Sequence, residues 1–349
     1  MRSAAWAPHS RLFLLDTSGR WSISEDVRAL GEIAARVGIE LGPPAWSFRV
    51  RRQCVFYASH LALLRRFAPP PSRLATAYFH GRPGTPGFPE FDEAYEGLRR
   101  HHTKLHRIQV THAEMHDLVL GTGIDAGKVF RIPIGVDPAL FSPRTPESRR
   151  EARARLGLPE SAFVVGSLQK DGIGWAEGLE PKLIKGPDVL LASLELLRPR
   201  VPELVVVLTG PARGYVLRGL ERAGIPHRHV FVRRYTDLPS VYHALDLCLI
   251  ASRQEGGPKA LLEGMATEVP VVTTRVGQAA EIARHGENAF VVDAEDAEGL
   301  AHWCGHVRDQ AGGLAPVLEA GREAALANSY AAQTPLWRDL FRGFVEVPG

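Results

Sequence analysis

Short apolar runs recur along this chain, each followed by a stretch of helical periodicity, and that alternation leaves few folds open. RLFLLDT (11–17) reads as a buried strand, and ISEDVRALGEIAARVG (23–38) as an amphipathic helix that Ser24 is placed to cap. CVFYAS (54–59) and LATAYFH (74–80) read as strands, with the proline cluster at 69–71 as the loop between them. FDEAYEGLRRHHTKL is helical, RIQVTH (107–112) a strand, AEMHDLVLGTG a helix and KVFRIPIGVD (128–137) a strand running into a turn. A second series follows, with strands at FVVGSL (163–168), LVVVLTG (204–210), HVFVRR (229–234), DLCLIAS (246–252), PVVTTR (270–275) and AFVVD (289–293). Strands that are apolar throughout, rather than alternating, belong to parallel sheets covered by helices on both faces.

With 349 residues there is room for two such sheets. The Pro- and Ser-rich stretch PALFSPRTPESRR (138–150) is the expected linker. The expectation is an N-terminal domain over 1–143 and a C-terminal domain over 144–325, with 326–349 a helix that packs back on the N-terminal domain. GTGIDAG (121–127) and GIGWAEG (172–178) are glycine-rich, but neither fits GxGxxG on a strand-to-helix turn, which argues against a dehydrogenase.

A net charge of +3 argues against a nucleic-acid partner. Arg49, Arg51, Arg52, Arg65 and Arg66 form a basic cluster, either a solvated face or a patch for an anionic lipid surface or acceptor. Three scattered cysteines suggest neither a zinc site nor a disulfide framework and fit a reducing cytoplasm. The apolar stretch near the N-terminus is too short for a signal peptide or a span. Of 42 basic residues only six are lysines, and the four in the C-terminal half are Lys170, Lys182, Lys185 and Lys259. Where arginine is the default cation, a retained lysine suggests a need for a compact ammonium.

The segment DLCLIASRQEGGPKALLEGMATEVPVVTTRVGQAAEI carries the most chemistry. A buried strand ends at Ser252. Gly256 and Gly257 let backbone approach a ligand, and Pro258 is placed to open a helix. The helix start offers free N–H groups and a positive dipole end, to which Lys259 adds a cation. Glu255 and Glu263 are eight residues apart, so they reach two ends of a ligand roughly 8–10 Å long at helical rise. Carboxylates grip sugar hydroxyls by accepting their protons.

EGGPKALLE followed by GMATEVPVVTTRVGQAAEI resembles retaining glycosyltransferase family 4, whose signature is Glu-x7-Glu after a strand, then an apolar strand and a glycine turn. Gly257 and Pro258 stand where that family usually has an aromatic or Leu and then Gly, and Gln278 replaces the second glycine of its Gly-Gly. In VVGSLQKDGIGWAEGLEPKLIKGPDVLL (164–191), Lys185-Gly186 matches the family's Lys-Gly. Its usual arginine is Ser167 here, and Lys170 is the candidate substitute. Between the two lysines lies an insertion with Trp175, Glu177 and Glu180, read as a flap over the donor. RIPIGVDPALFSP (131–143) resembles the family's interdomain segment.

The resemblance implies two Rossmann-like, doubly wound parallel-sheet α/β domains facing a cleft, the GT-B fold. It implies that a nucleoside-diphosphate sugar is the substrate and that no cofactor is used. An acceptor hydroxyl on a carbohydrate or glycolipid takes the sugar with retained configuration, in polysaccharide, lipopolysaccharide or glycolipid synthesis. By resemblance Glu255 faces the transferred sugar, Glu263 binds the ribose hydroxyls, and Gly256, Gly257, Pro258 and Lys259 cradle the diphosphate and sugar. Lys185 and Lys170 neutralise the diphosphate. Gly210, Arg233 and Tyr235 border the base by position, with structural roles equally open. In the N-terminal half, Gly19 of TSGRWS matches a glycine loop near the diphosphate and acceptor, with Arg20 beside it. His80 either faces the reacting sugar or is a loop histidine. No Asp-x-Asp occurs, so no metal is expected. The enzyme is placed in the cytoplasm, with possible peripheral contact at the inner face of the membrane. A GT-B epimerase, or a subunit that binds nucleotide-sugar without catalysis, is the alternative.

Overall fold

The computed structural model describes residues 8–16, 22–47, 51–61 and 72–346. The chain divides into two compact units, Met1–Gly135 with Tyr330–Gly349, and Val136–Ser329.

The first unit is built on β1 (Arg11–Leu15), α1 (Ser22–Arg36), β2 (Glu40–Leu41), β3 (Cys54–Tyr57), β4 (Arg73–Tyr78), α2 (Pro89–His101), β5 (Arg107–Val110), α3 (Ala113–Leu120) and β6 (Val129–Arg131). Its six strands are all parallel, in the order β2-β1-β3-β4-β5-β6. Each face carries an apolar core, one around Leu12, Leu14, Cys54 and Phe56, the other around Phe13, Val55, Tyr57 and Ile108. Consecutive residues of β1 and β3 thus serve opposite layers, the physical reason these strands are apolar throughout.

The second unit holds α4 (Pro146–Leu156), β7 (Phe163–Ser167), α5 (Pro187–Leu197), β8 (Leu204–Thr209), α6 (Gly214–Arg222), β9 (His227–Val230), α7 (Pro239–Ala244), β10 (Leu247–Ile250), α8 (Lys259–Ala266), β11 (Val271–Thr274), α9 (Ala279–Ile282), β12 (Phe290–Val292), α10 (Ala297–Asp309) and α11 (Ala315–Ala327). Its parallel sheet runs β12-β11-β10-β7-β8-β9. The chain starts in the middle at β7, winds out through β8 and β9, then returns to pair β10 on the other side of β7, with Leu247 opposite Val165 and Cys248 opposite Gly166. The helix α12 (Thr334–Phe341) returns to the first unit. Trp337 packs edge-on against Phe56 at 5.8 Å, while Arg73 and Arg107 take the carbonyls of Phe344, Leu340 and Arg342 at 2.9–3.1 Å.

Several expectations need correction. The unit boundaries fall at 135/136 and 329/330, not at 143/144 and 325/326. The Pro- and Ser-rich stretch is no linker. Phe141 is fully buried within the second unit, and Thr145 opens α4 with a capping box, its hydroxyl accepting from Ser148 N–H while Ser148 answers the Thr145 N–H. Proline and serine there mark a helix start. Ser24 lies inside α1 rather than at its cap, and its hydroxyl donates to Asp16 at 2.5 Å. Of the basic cluster, Arg51 and Arg52 are exposed, and Arg49, Arg65 and Arg66 lie outside the described residues, as do Gly19 and Arg20.

Candidate functional site

In an open parallel sheet, ligands gather beyond the strand C-termini where the winding direction reverses. In the second unit that point lies between β7 and β10, and the loops leaving those two strands carry Gln169 and Lys170, and Ser252 through Pro258.

Glu255 is 7% exposed, and its Oε1 lies 2.5 Å from the Lys185 ammonium and 3.0 Å from the Ser252 hydroxyl. Ser252 Oγ also lies 3.2 Å from Gln169 Oε1, and Gln169 Nε2 donates to the Lys185 carbonyl at 2.9 Å. Thr274 Oγ1 donates to the Ser252 carbonyl at 2.6 Å, tying β11 to the same loop. A buried carboxylate needs such partners, because desolvation of an unpaired charge costs several kcal/mol.

Glycines bring these pieces together. Gly186 has φ +61, and a Cβ there would stand 1.8 Å from the Ala251 carbonyl oxygen. The close approach sets Lys185 against the end of β10. Gly186→Ala is expected to cost about 2–4 kcal/mol, from strain at positive φ plus a clash with backbone that cannot yield. A thermal melt reads this as a loss of roughly 4–16 °C for a unit of this size. Gly277 likewise has φ +56, and a Cβ there would lie 2.4 Å from the Glu255 carbonyl.

Two departures from the family pattern answer one another. A Cβ on Gly257 would meet the Gln278 amide at 2.4 Å. Gln278 is buried, and its N–H donates to the Gly256 carbonyl at 3.0 Å. The volume that a side chain at 257 would occupy is filled by Gln278, so Gln278 in this position requires glycine at 257.

Glu263 is 3% exposed in α8. Oε1 accepts from the Tyr235 phenol, and Oε2 from the Tyr242 phenol at 2.6 Å. Phe141 packs edge-on to both tyrosines at 5.5 and 5.7 Å. Burial, and then the Glu263 charge, push the Tyr242 phenol well above its usual pKa, so it stays a proton donor. The Lys259 ammonium stands 5.3 Å from the centre of the Tyr235 ring. The helix begins at Lys259 with Pro258 as its N-cap (φ −65, ψ 107), one residue later than expected. Both motif acids are thus inward-facing and tied into networks.

Lys170 donates to the Gly172 carbonyl at 2.9 Å, with its ammonium 4.9 Å from the centre of the Trp175 ring. Burial, and then Lys185, lower its pKa. The insertion that follows is a narrow hairpin rather than a loose flap. Gly172 pairs antiparallel with Pro181, Ile173 N–H donates to the Glu180 carbonyl at 2.9 Å, and Lys182 N–H to the Asp171 carbonyl at 2.7 Å. Its tip is pinned to the start of α6, where Gly214 and Tyr215 N–H donate to the carbonyls of Glu177 and Gly178 at 2.7 and 2.9 Å.

Beneath this hairpin lies Arg213, a residue that sequence reasoning missed. Its guanidinium is fully buried and donates to the carbonyls of Ser167, Gln169 and Thr209 at 2.5–3.0 Å and to the Ser167 hydroxyl at 3.1 Å. Nε lies 3.0 Å from Asp171 Oδ1, an ion pair whose N–H is not aligned as a hydrogen bond. Burial pushes the Asp171 carboxyl up, and Arg213 opposes that shift. The clue available in the sequence was Ser167, where the related pattern has arginine; which distant cation serves the same loop could not be read from it. Ser252, Gln169 and Tyr242 were also not singled out.

Of the remaining candidates, Gly210 has φ +85, and its carbonyl accepts from His229 at 2.7 Å. Arg233 is exposed. His80 follows β4 in the first unit, half-buried and edge-on to Phe91 at 5.5 Å.

Residues 170–308 match the family model described as Glycosyl transferases group 1. D-inositol 3-phosphate glycosyltransferase of Salinispora arenicola is 30% identical over 258 residues, 68% of this chain and 53% of that enzyme. Lipopolysaccharide core biosynthesis mannosyltransferase LpsB of Rhizobium meliloti is 31% identical over 175 residues, 48% of this chain and 46% of that enzyme. The chain spans about half the length of the curated relatives it matches. Anabaena HepE, solved with UDP and glucose, superposes with a TM-score of 0.76 at 16% identity, over 96% of this chain and 100% of that one. Sucrose-phosphate synthase of Thermosynechococcus elongatus superposes with 0.74 at 18% identity, over 96% and 98%. The chain carries a Glycosyl transferases group 1 domain at 170–308, within the second unit, and its two six-stranded parallel sheets have the GT-B fold.

Proposed function

We propose that the protein moves a sugar from a nucleoside diphosphate to a hydroxyl of a carbohydrate or glycolipid acceptor, with retained anomeric configuration and without a metal. One observation carries the reading. Two buried carboxylates of one loop-helix segment are each held by hydrogen-bond donors, Glu255 by an ammonium and Glu263 by two phenol hydroxyls, the same kinds of group that a sugar nucleotide's hydroxyls present.

In the proposed step, the bond between the anomeric carbon and the diphosphate oxygen breaks, and the acceptor oxygen bonds to the same face of that carbon. The acceptor proton leaves on the departing phosphate oxygen. Lys185, Lys170, Lys259 and the N-terminus of α8 stabilise the charge gathering on the diphosphate. Glu255 faces the sugar, which becomes electron-poor as the leaving group departs. Glu263 accepts protons from the ribose hydroxyls. Gly210, Arg233 and Tyr235 border the base. The relatives' names motivate a role in lipopolysaccharide, polysaccharide or glycolipid synthesis. The three cysteines are free and buried, in keeping with a cytoplasmic setting, and the basic cluster motivates contact with an anionic membrane.

The test is turnover of a panel of UDP-, GDP-, ADP- and dTDP-sugars with and without acceptor, in the presence of EDTA, with the product's anomer read by NMR. A new sugar formed from donor alone would indicate an epimerase, and binding without turnover under any condition a non-catalytic subunit. Glu263→Ala is expected to weaken binding of the nucleoside diphosphate by about tenfold or more, since a hydrogen bond to a charged group is worth about 1.5–3 kcal/mol. Unchanged affinity in calorimetry would remove Glu263 from the donor site.

A further inference from the structure

Glu263 meets two tyrosines of unlike standing. Tyr242 is fully buried on α7, between Phe141 and the carboxylate. Tyr235 is half-buried and opens a short 3-10 turn, Tyr235–Asp237, directly after the exposed Phe231, Arg233 and Arg234. Its ring also faces the Lys259 ammonium at the first residue of α8. One phenol is therefore locked in the core, and the other stands half-buried at the core's edge.

A phenol O–H donating to a carboxylate oxygen has the same hydrogen-bond chemistry as a sugar O–H donating to it. We propose that Tyr235 is a displaceable stand-in for a donor hydroxyl. It satisfies Glu263 Oε1 before a donor binds and yields that oxygen to the ribose diol, while Tyr242 stays on Oε2 as a positioning residue. The inference rests on the donor-site reading above and adds a competing internal ligand to it. The arrangement keeps a buried acid satisfied at every stage, which a carboxylate at 3% exposure requires. It also sets a selectivity rule. Only a ligand that brings hydroxyl donors to this oxygen can replace the phenol without leaving the charge unpaired.

The test is calorimetric titration of the full chain with UDP, GDP and ADP, and with the 2′,3′-dideoxy form of whichever binds most tightly. Tyr235→Phe keeps the ring and its contacts with Phe141 and Lys259 and removes the competing O–H. It is expected to tighten the ribonucleotide by about three- to tenfold. The dideoxynucleotide, which has no hydroxyl for the vacated oxygen, should gain nothing. Tyr242→Phe is expected to weaken the ribonucleotide instead, since Oε2 loses its fixed donor. Weaker or unchanged ribonucleotide binding in Tyr235→Phe, an equal gain with the dideoxynucleotide, or an equal gain in Tyr242→Phe would each overturn the stand-in. If the wild-type chain binds none of the three nucleotides, the donor-site reading itself fails and this inference falls with it. Thermal melts of both variants check that the fold is intact.

Discussion

Glu255→Gln is expected to lower sugar transfer about a thousandfold, the upper range for removing one preorganised electrostatic group from a reacting centre. The amide keeps the size of the carboxylate, and the close approach of Gly277 is to the backbone carbonyl of residue 255, which the change leaves in place. Its oxygen can still accept from Ser252, as the carboxylate does at 3.0 Å. What disappears is the negative charge. The reacting sugar loses the carboxylate that faces it in the proposed mechanism. Lys185 loses its 2.5 Å partner, which competes with phosphate for the same ammonium. Nucleoside-diphosphate affinity should therefore hold or rise while turnover collapses. Such a split marks a group used in the transition state more than in binding. Turnover near wild type in the variant, with substrate saturating, would remove Glu255 from the reaction.

Arg213→Met is expected to cost about 3–5 kcal/mol, the usual penalty for stripping one partner from a buried ion pair. Asp171 is fully buried beside it, and burial already pushes that carboxyl up. Without the guanidinium the charged form has less support, so the folded-state pKa rises further above the unfolded value of about 3.9. A carboxyl raised in this way keeps its stability at low pH and loses it as pH climbs through the folded pKa. The gap between wild type and variant should thus be smallest near pH 4 and widen toward neutrality, as read by urea unfolding at several pH values. A loss below about 1 kcal/mol at pH 7 would show that the ion pair contributes little to stability. The same substitution frees the carbonyls of Ser167 and Gln169, so donor affinity should fall even where the variant remains folded.

Much of the architecture was legible in the chain because parallel strands covered on both faces are apolar at every position, as CVFY and LCLI are. The two acids were legible for a related reason. The strand end, the glycine pair, the proline and the lysine are local features whose meaning does not depend on distant residues. Boundaries were less so, since proline and serine at 138–150 suit a linker and a helix start alike, and only the burial of Phe141 decides between them.

Sequence by itself determined the two wound sheets and the loop-helix that carries Glu255 and Glu263, because hydrophobic periodicity and helix-start chemistry act over a few residues. The partners of those acids were decided by tertiary structure. Lys185 reaches Glu255 across 70 positions, Tyr235 reaches Glu263 across 28, and Arg213 reaches Gln169 in the loop after β7 across 44. Satisfaction of a buried charge depends on distance and angle in space, and nothing in the spacing of residues along a chain encodes which remote side chain will fold back to supply it.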